Sequence, residues 1–512
     1  MGSSAPDFTW TLTSPGRWER DVDEVEQFYT SLAKAYEGTG RVFFAMTGYI
    51  AFSVAVSNTN PSQEPLEEVT EALRKAWLRL RYDHPTIAST VEFSQELKTC
   101  RKIYETCDRP ESQQDWLRST FQVVSNGMSG LDWCNSDPPV PQKATLFLIT
   151  PAAQTPGEVR GELVLRCHHD IIDGVGTLIL FDNLFAHAEQ AYAQGSQYQL
   201  PRFGEESAHL SPPLRIAAAI PSTLQPEQKA YLDTVRPYQA SLREGAEVAT
   251  MPFDKSRTFP GKHQRIAVTL SSEPTRRLLA ACKALGWSVT HAYHAAAAIT
   301  VRDLQERQDQ ERMVRYINYS LINERPQCTP PYSTTSHAAT AYHSVSGKGL
   351  AVDLRVPARD SITDQDDEQR AEFVEVANKV RDFYQQIRND KQHIQLVPSY
   401  WAMATLPYPA DGATPPVPEI NSSPSVSVSS MGVVDRIIRP VRGAFKLDSP
   451  WVTGEELGTG LGLFLGTWEG RLTLSAAYND AWHGLEEVVD FVEHCHSLVL
   501  RALGVSRNDG WS

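Results

Sequence analysis

"CHHDIIDGVG", residues 167–176, lies where one periodicity gives way to another. Upstream, "ELVLRCHH" (162–169) alternates with period two, as a strand does. Downstream, "TLILFDNLFAHAEQAYAQ" (177–194) repeats apolar residues at helical spacing and stops at Gly195. The stretch is therefore a strand–turn–helix junction holding two adjacent histidines, in a chain that has only 14. Alternation puts Leu163, Leu165, Cys167 and His169 on one face, and Val164, Arg166 and His168 on the other. His169 should point inward and His168 away, so the pair does not converge on an ion and no metal site is expected. An isolated inward histidine is ordinarily a hydrogen-bonded core residue. Here Asp173, Gly174 and Gly176 follow at once, with the glycines expected to give the turn its backbone freedom. The alternatives are a packed corner or a place where a proton moves.

Composition bounds what surrounds this junction. At 512 residues the chain is long for a single core, which predicts two domains. Hydrophobic residues make up 41% and charged residues 21%, ordinary soluble globular usage. No apolar run approaches the roughly 20 residues of a membrane span. The start, "MGSSAPDFTWTLTSPGRWERD", lacks the basic and apolar regions of a secretory signal and does not fit a myristoylation signal. A soluble, cytoplasmic protein is expected. The net charge of −14 and the absence of a basic stripe argue against nucleic-acid binding, while leaving room for one anionic ligand at a local basic patch. The 7 cysteines are scattered without a CxxC pair, which fits a reducing compartment rather than a disulfide framework or a zinc knot.

Working outward, "KATLFLIT" (143–150) and the strand before the histidines flank the turn-rich 151–160 and read as an antiparallel pair. "RDVDEVEQFYTSLAKAY" (20–36) is an amphipathic helix. "RVFFAMTGYIAFSVAV" (41–56) is a buried strand in which Gly48 marks a bulge or a close approach. "LEEVTEALRKAWLRLRYDHP" (66–85) is a helix stopped ahead of Pro85. In the second half, 271–304 reads as two helices broken near Gly286, 313–326 as a strand and 371–390 as a helix. The segment 406–419 is a proline-rich loop, "SVSVSSMGVV" (425–434) an alternating strand, 460–479 a hairpin turning at Glu469-Gly470, and 485–504 a closing helix. The predicted class is α/β, two mixed-sheet domains in contact, at 1–205 and 226–512 with a linker at 206–225.

"HHDIIDG" resembles the HHxxxDG signature of condensation domains, BAHD acyltransferases and the wider chloramphenicol-acetyltransferase-like superfamily. Five further segments resemble fungal acyltransferases of the trichothecene 15-O-acetyltransferase type, in the same order along the chain. They are "RWERDVDEVEQFYTSLAKAYEGTGRVFFAMTG", "ALRKAWLRLRYDHP", "VTHAYHAAAAITVRD", "SVSVSSMGVVD" and "LFLGTWEGRLTLSAAYND". The DFGWG block of plant-type BAHD enzymes is absent, so its structural role does not carry over. The resemblance implies two chloramphenicol-acetyltransferase-like domains, each a mixed sheet flanked by helices, with an active-site tunnel between them. It implies His169 as general base within the catalytic block His169, Asp173 and Gly174. It also implies Arg325 as the partner of Asp173, which would then point away from His169.

The chemistry is consistent with those roles. A neutral imidazole can take a proton from an alcohol attacking a thioester and return it to the leaving thiolate. No GxSxG elbow offers a nucleophilic serine, and Cys167, beside the pair, reads as packing. The oxyanion needs donors. Ser427 and Ser429, sharing a face with Ser425, are candidates for the oxyanion or the substrate, the alternative being an edge strand with its polar face in water. Trp287, Trp401 and Trp451 are candidates for lining an acceptor pocket, against the core role of most tryptophans. His494 and His496, two apart on a helix, diverge and read as surface and core. The function expected is transfer of an acetyl or short acyl group from acetyl-CoA or another acyl-CoA to a hydroxyl of a fungal secondary metabolite, with terpenoids in view. No permanently bound cofactor, no nucleic-acid partner, no membrane span and a monomer are expected. One alternative is a same-fold enzyme using a carrier-protein thioester, forming an amide or catalysing a cyclisation. The other is a non-catalytic binding relative.

Overall fold

The computed structural model describes residues 6–56, 65–96, 98–151, 157–361, 366–410 and 424–505. The turn at 151–160 and the proline-rich loop at 406–419 fall partly outside these residues. Among the described residues, no helix is long and apolar enough to cross a membrane.

Two sheets carry the fold. The first has six strands in the spatial order Val441–Arg442, Phe445–Gly454, Met46–Ala55, Glu158–Cys167, Thr145–Ile149 and Phe121–Val124. Thr145–Ile149 and Glu158–Cys167 are antiparallel, and Met46–Ala55 runs antiparallel to both of its neighbours, with Met46 opposite Cys167. On one face of this central strand Met46, Ile50, Phe52 and Val54 enter the main core with Leu178, Phe181 and Phe185, while Tyr49 on the other face packs with Trp133 of the first half and Trp451 of the second. Gly48 marks a close approach and not a bulge: its register is unbroken, and a Cβ there would stand 2.3 Å from Thr177 Cγ2 and 2.9 Å from Phe181 Cε2. Thr177 and Phe181 belong to the Gly174–Gln194 helix, which therefore rests directly on the sheet.

The second sheet orders His263–Leu270, Arg471–Asn479, Leu461–Trp468 and Val426–Val433. Its hairpin turns at Glu469-Gly470, both with positive φ (44° and 72°), the conformation a tight two-residue hairpin requires. Behind it lies the Val289–Asp303 helix, capped by Ser288, which accepts a hydrogen bond from the His291 amide. Its buried alanines 295–298 let the Asp366–Asn389 and Leu485–Ala502 helices pack closely.

The halves interlock. Phe445–Gly454 comes from the second half of the sequence yet completes the first half's sheet beside Met46–Ala55. The stretch 206–225, which we propose as the connection between the halves, is packed rather than free. Glu206 is fully buried and accepts hydrogen bonds from the Tyr104 hydroxyl and the Cys107 amide, both at 2.9 Å. Residues 313–326, read as one strand, form two: Arg312–Asn318 and Leu321–Asn323. Asn318 causes the break. Its side chain accepts from the Tyr319 amide at 2.7 Å and donates to the Val426 carbonyl at 2.7 Å, in place of continued ladder pairing.

Candidate active site

The strand before the histidines ends at Cys167, so both rings sit in the turn that follows and strand alternation does not reach them. Two buried ion pairs orient them instead. Asp170 places a carboxylate oxygen 3.1 Å from Lys102 Nζ, which is also 2.8 Å from Glu26, itself 2.6 Å from Arg20. Burial works against the Glu26 carboxylate, but Arg20 and Lys102 hold its pKa down to about 2. Glu26 and Tyr29 are three apart on the Glu24–Ala35 helix and so share a face. Glu26 thereby fixes the turn, and Tyr29 stacks on His169 with ring centroids 3.9 Å apart and planes 6° from parallel.

On the other side of the turn, Asp173 caps the Gly174–Gln194 helix by accepting from the Gly176 amide at 2.7 Å. Both of its oxygens lie 2.8 Å from Arg325 Nη1. Arg325 Nη2 continues to Thr340 Oγ1 at 3.1 Å and the Thr340 carbonyl at 3.2 Å. Burial opposes ionisation of Asp173, yet Arg325 holds its carboxyl well below the ordinary range. The carboxylate is therefore committed to the arginine and the helix cap. Gly174 and Gly176 are needed for space, not for backbone freedom, because both lie in the helix and neither has positive φ. A Cβ on Gly176 would fall 2.3 Å from the Ala338 carbonyl and 2.6 Å from Arg325 Nη2.

His169 lines a cavity of about 600 Å³ walled by both halves, with Tyr29 and Met46 from the first and Tyr319, His343, Trp401 and Phe464 from the second. His343 lies 5.2 Å from His169 between centroids, shares a 2.7 Å hydrogen bond with the Tyr29 hydroxyl, and meets Trp401 edge-on at 5.5 Å. His169 Nδ1 is buried with no hydrogen-bond partner on another residue. Burial first, and His343 second, push the His169 ring down to about 3, so it is neutral at ordinary pH. His168 does not line the cavity, and burial lowers its pKa as well. Cys167 is fully buried, its thiol pushed up by burial, and it too is outside the cavity wall.

Ser427 and Ser429 line the cavity from the edge strand Val426–Val433, joined by Ser430, whose hydroxyl accepts from Thr290 at 3.0 Å. Ser425 instead accepts from the Met251 amide at 2.9 Å. Of the three tryptophans, Trp401 lines the cavity. Trp287 faces a neighbouring cavity of about 770 Å³ across the Leu321–Asn323 strand, and Trp451 stacks on Tyr49 at 4.9 Å. His496 is buried against the Tyr293 hydroxyl, and His494 is half-buried beside Asp303. Sequence reasoning missed Tyr29, Lys102, Tyr319, His343 and Glu456. The helical spacing of Glu26 and Tyr29 was the one available signal. Glu456 is a buried cavity-wall carboxyl without a cation among the described residues, and burial raises it to about 8.

The family model described as 15-O-acetyltransferase Tri3 matches residues 33–400, well over half the chain. This chain belongs to the Tri3 family. Acetyltransferase pigO of Monascus ruber is 26% identical over 501 residues, covering 97% of this chain and 98% of that protein. The solved structure of TRI3 trichothecene 15-O-acetyltransferase from Fusarium sporotrichioides superposes with a TM-score of 0.80 at 17% identity, over 98% of this chain and 100% of that one. The first condensation domain of the calcium-dependent antibiotic synthetase superposes at 0.57, with 14% identity over 94% of this chain and 96% of that one. The fold is the chloramphenicol-acetyltransferase-like one, and this Tri3-family chain is an enzyme of the O-acetyltransferase type.

Proposed function

We propose that this Tri3-family enzyme moves an acetyl or short acyl group from an acyl-CoA thioester to a hydroxyl of a fungal secondary metabolite, with His169 as general base. The observation that carries the reading is a neutral His169, stacked on Tyr29, in the wall of a cavity that both halves enclose. As the acceptor oxygen attacks the thioester carbonyl, the imidazole takes its proton. When the tetrahedral intermediate collapses and the C–S bond breaks, the proton passes to the thiolate. No acyl-enzyme forms. Burial keeps the ring free of protons beforehand, and the oxyanion developing beside it raises its basicity at the moment of transfer. The face of Tyr29 adds a cation–π contribution to the imidazolium, on the order of 1 kcal/mol. The Ser427 and Ser429 hydroxyls are the oxyanion or substrate donors in this scheme. Asp173 and Arg325 act by holding the turn, not by touching the reacting atoms.

Incubation with acetyl-CoA and a panel of hydroxylated terpenoids, following free thiol, tests the reading. Acceptor-dependent thiol release that His169→Ala abolishes is the expected result. No binding of acetyl-CoA or any longer acyl-CoA by calorimetry would overturn it.

A further inference from the structure

Beside the reaction cavity, and sharing Met431 and Phe464 with it, lies a second chamber of about 260 Å³ between the two sheets. Its floor is one face of the second sheet. Arg265, Ala267 and Thr269 alternate along His263–Leu270, and Ser475 and Thr473 stand opposite Ala267 and Thr269 on the neighbouring strand. Its roof includes Trp451, from the strand that crosses into the first half's sheet. Arg265 is 4% exposed, and its guanidinium carbon sits 4.1 Å from the Trp451 ring centroid.

Arg20, Arg166, Arg302 and Arg325 are buried too, and each has a carboxylate within 2.8 Å. Arg81 donates to the Glu105 carbonyl. Among the described residues, Arg265 forms no ion pair, only its backbone hydrogen-bonds, to Asn135, and its Nε is buried without a partner. An unpaired buried charge is costly, and the ring of Trp451 offsets little of that cost. Burial lowers Arg265 only to about 10, so it remains a cation at neutral pH. Among the described residues that line it, the floor adds hydroxyls and no acid. At the rim, Arg471 is already paired with Asp448 at 2.9 Å. Five donors in a rigid fork beside neutral hydroxyls suit a carboxylate or phosphate oxygen.

We propose that this chamber is an oxyanion-binding site, in which Arg265 and the free hydrogen of the Thr269–Thr473 hydroxyl pair, whose oxygens lie 2.9 Å apart, hold a phosphate or carboxylate carried by a substrate in the adjoining cavity. The inference extends the acyltransferase reading. It names a recognition residue that this reading does not require. A phosphate would come from the donor's coenzyme portion, and a carboxylate from a dicarboxylic acyl group.

Calorimetry on the full chain separates these sources, using pantetheine, CoA, acetyl-CoA and malonyl-CoA against wild type, Arg265→Gln and Arg265→Lys. Loss of the guanidinium should weaken the matching ligand by about tenfold or more, as for a hydrogen bond to a charged group, with Lys retaining part of the affinity. If Arg265→Gln weakens CoA but not pantetheine, the oxyanion is a donor phosphate. If it leaves CoA unchanged but brings malonyl-CoA down to the level of acetyl-CoA, it is an acyl carboxylate. Unchanged binding of all four overturns the proposal. Bromide soaked into wild-type crystals gives a test that needs neither donor nor variant. An anomalous peak within contact of the guanidinium supports the site, and none there refutes it. A wild type that binds no thioester counts against the donor reading, while the bromide result still decides the chamber.

Discussion

Replacing Asp173 by alanine removes a counter-charge, a helix cap and a brace of the turn together. Arg325, 5% exposed, would keep its hydrogen bonds to Thr340 and Ala338 and the face of Tyr342, and be left as a buried cation without a counter-charge. Breaking such a pair from one side costs about 3–5 kcal/mol, and loss of the cap on Gly176 about 1 kcal/mol more. A sum of roughly 4–6 kcal/mol is a large share of the ~5–15 kcal/mol that holds a typical domain. Asp173→Asn keeps the shape and the cap but not the charge, and should cost less. Arg325→Gln strands the carboxylate instead. The double variant Asp173→Asn/Arg325→Gln leaves two neutral amides, and should be less destabilised than the sum of the single changes by about 1–3 kcal/mol. Urea midpoints read by tryptophan fluorescence, with kcat/KM on the folded fractions, make the comparison. The pair should be complete at neutral pH. A folded carboxyl held below its unfolded value of about 3.9 contributes its stability above that value and loses it only on further acidification. The reasoning fails if Asp173→Asn unfolds at the wild-type midpoint yet loses turnover as completely as His169→Ala. That outcome would make Asp173 a participant in proton transfer, although its nearest imidazole nitrogen, Nδ1 of His343, is 3.7 Å away.

His169→Ala should lower turnover by roughly 10²–10⁴-fold with the urea midpoint close to wild type, while His168→Ala, outside the cavity, should cost less than about tenfold. Equal losses in steady-state kinetics would refute the assignment of the base. Because burial holds His169 near 3, kcat/KM should show no His169 limb near the ordinary histidine value of about 6.5. A limb there that vanished in His169→Ala would contradict the buried geometry. A break near pH 8 should belong to Glu456 and disappear in Glu456→Gln. Gly176→Ala should destabilise by about 1–3 kcal/mol or more through its clash with the Ala338 carbonyl. Gly174→Ala, whose Cβ would stand 3.3 Å from Met431 Sδ and Val452 Cγ2, should fold better and raise KM. Similar urea midpoints for the two glycine variants would refute this contrast.

The sequence was legible wherever local chemistry decides structure. Helix 271–304 breaks at Gly286 and restarts behind Ser288 because a positive-φ glycine and a capping serine act over a few residues. The hairpin at Glu469-Gly470 is equally local. Illegible features depend on parts of the chain hundreds of residues apart. No periodicity tells that Phe445–Gly454 completes the other half's sheet, or that Asn318 diverts its strand toward the Val426 carbonyl. His169 was placed inward by extending alternation past the point where the strand stops. The placement agrees with the cavity, but the cause is the fixed turn, not the pleat. The Tyr29 stack escaped because an aromatic side chain on a helix face reads as ordinary core until the partner is known, and His343 escaped because it opens a strand of only three residues, too short to show a periodicity.

Why the turn carries two carboxylates follows from what it must hold. Asp170 and Asp173 lie one and four residues past His169 and reach opposite ways, to Lys102 in the first half and Arg325 in the second. Buried ion pairs add little net stability over apolar packing, so stabilisation alone does not explain two of them. They do make departures expensive. If the turn slid or rotated, a carboxylate and a cation would each lose their partner in a region closed to water. A hydrophobic turn could repack with small cost and leave the ring in several orientations. A base must sit within a few tenths of an ångström of the proton it takes, so a steep penalty on either side of His169 serves catalysis better than a deeper well for the fold. Because Glu26 also belongs to the Lys102 network, the helix that presents Tyr29 is locked to the same turn. The stacking partner and the ring it covers are therefore positioned by one set of charges.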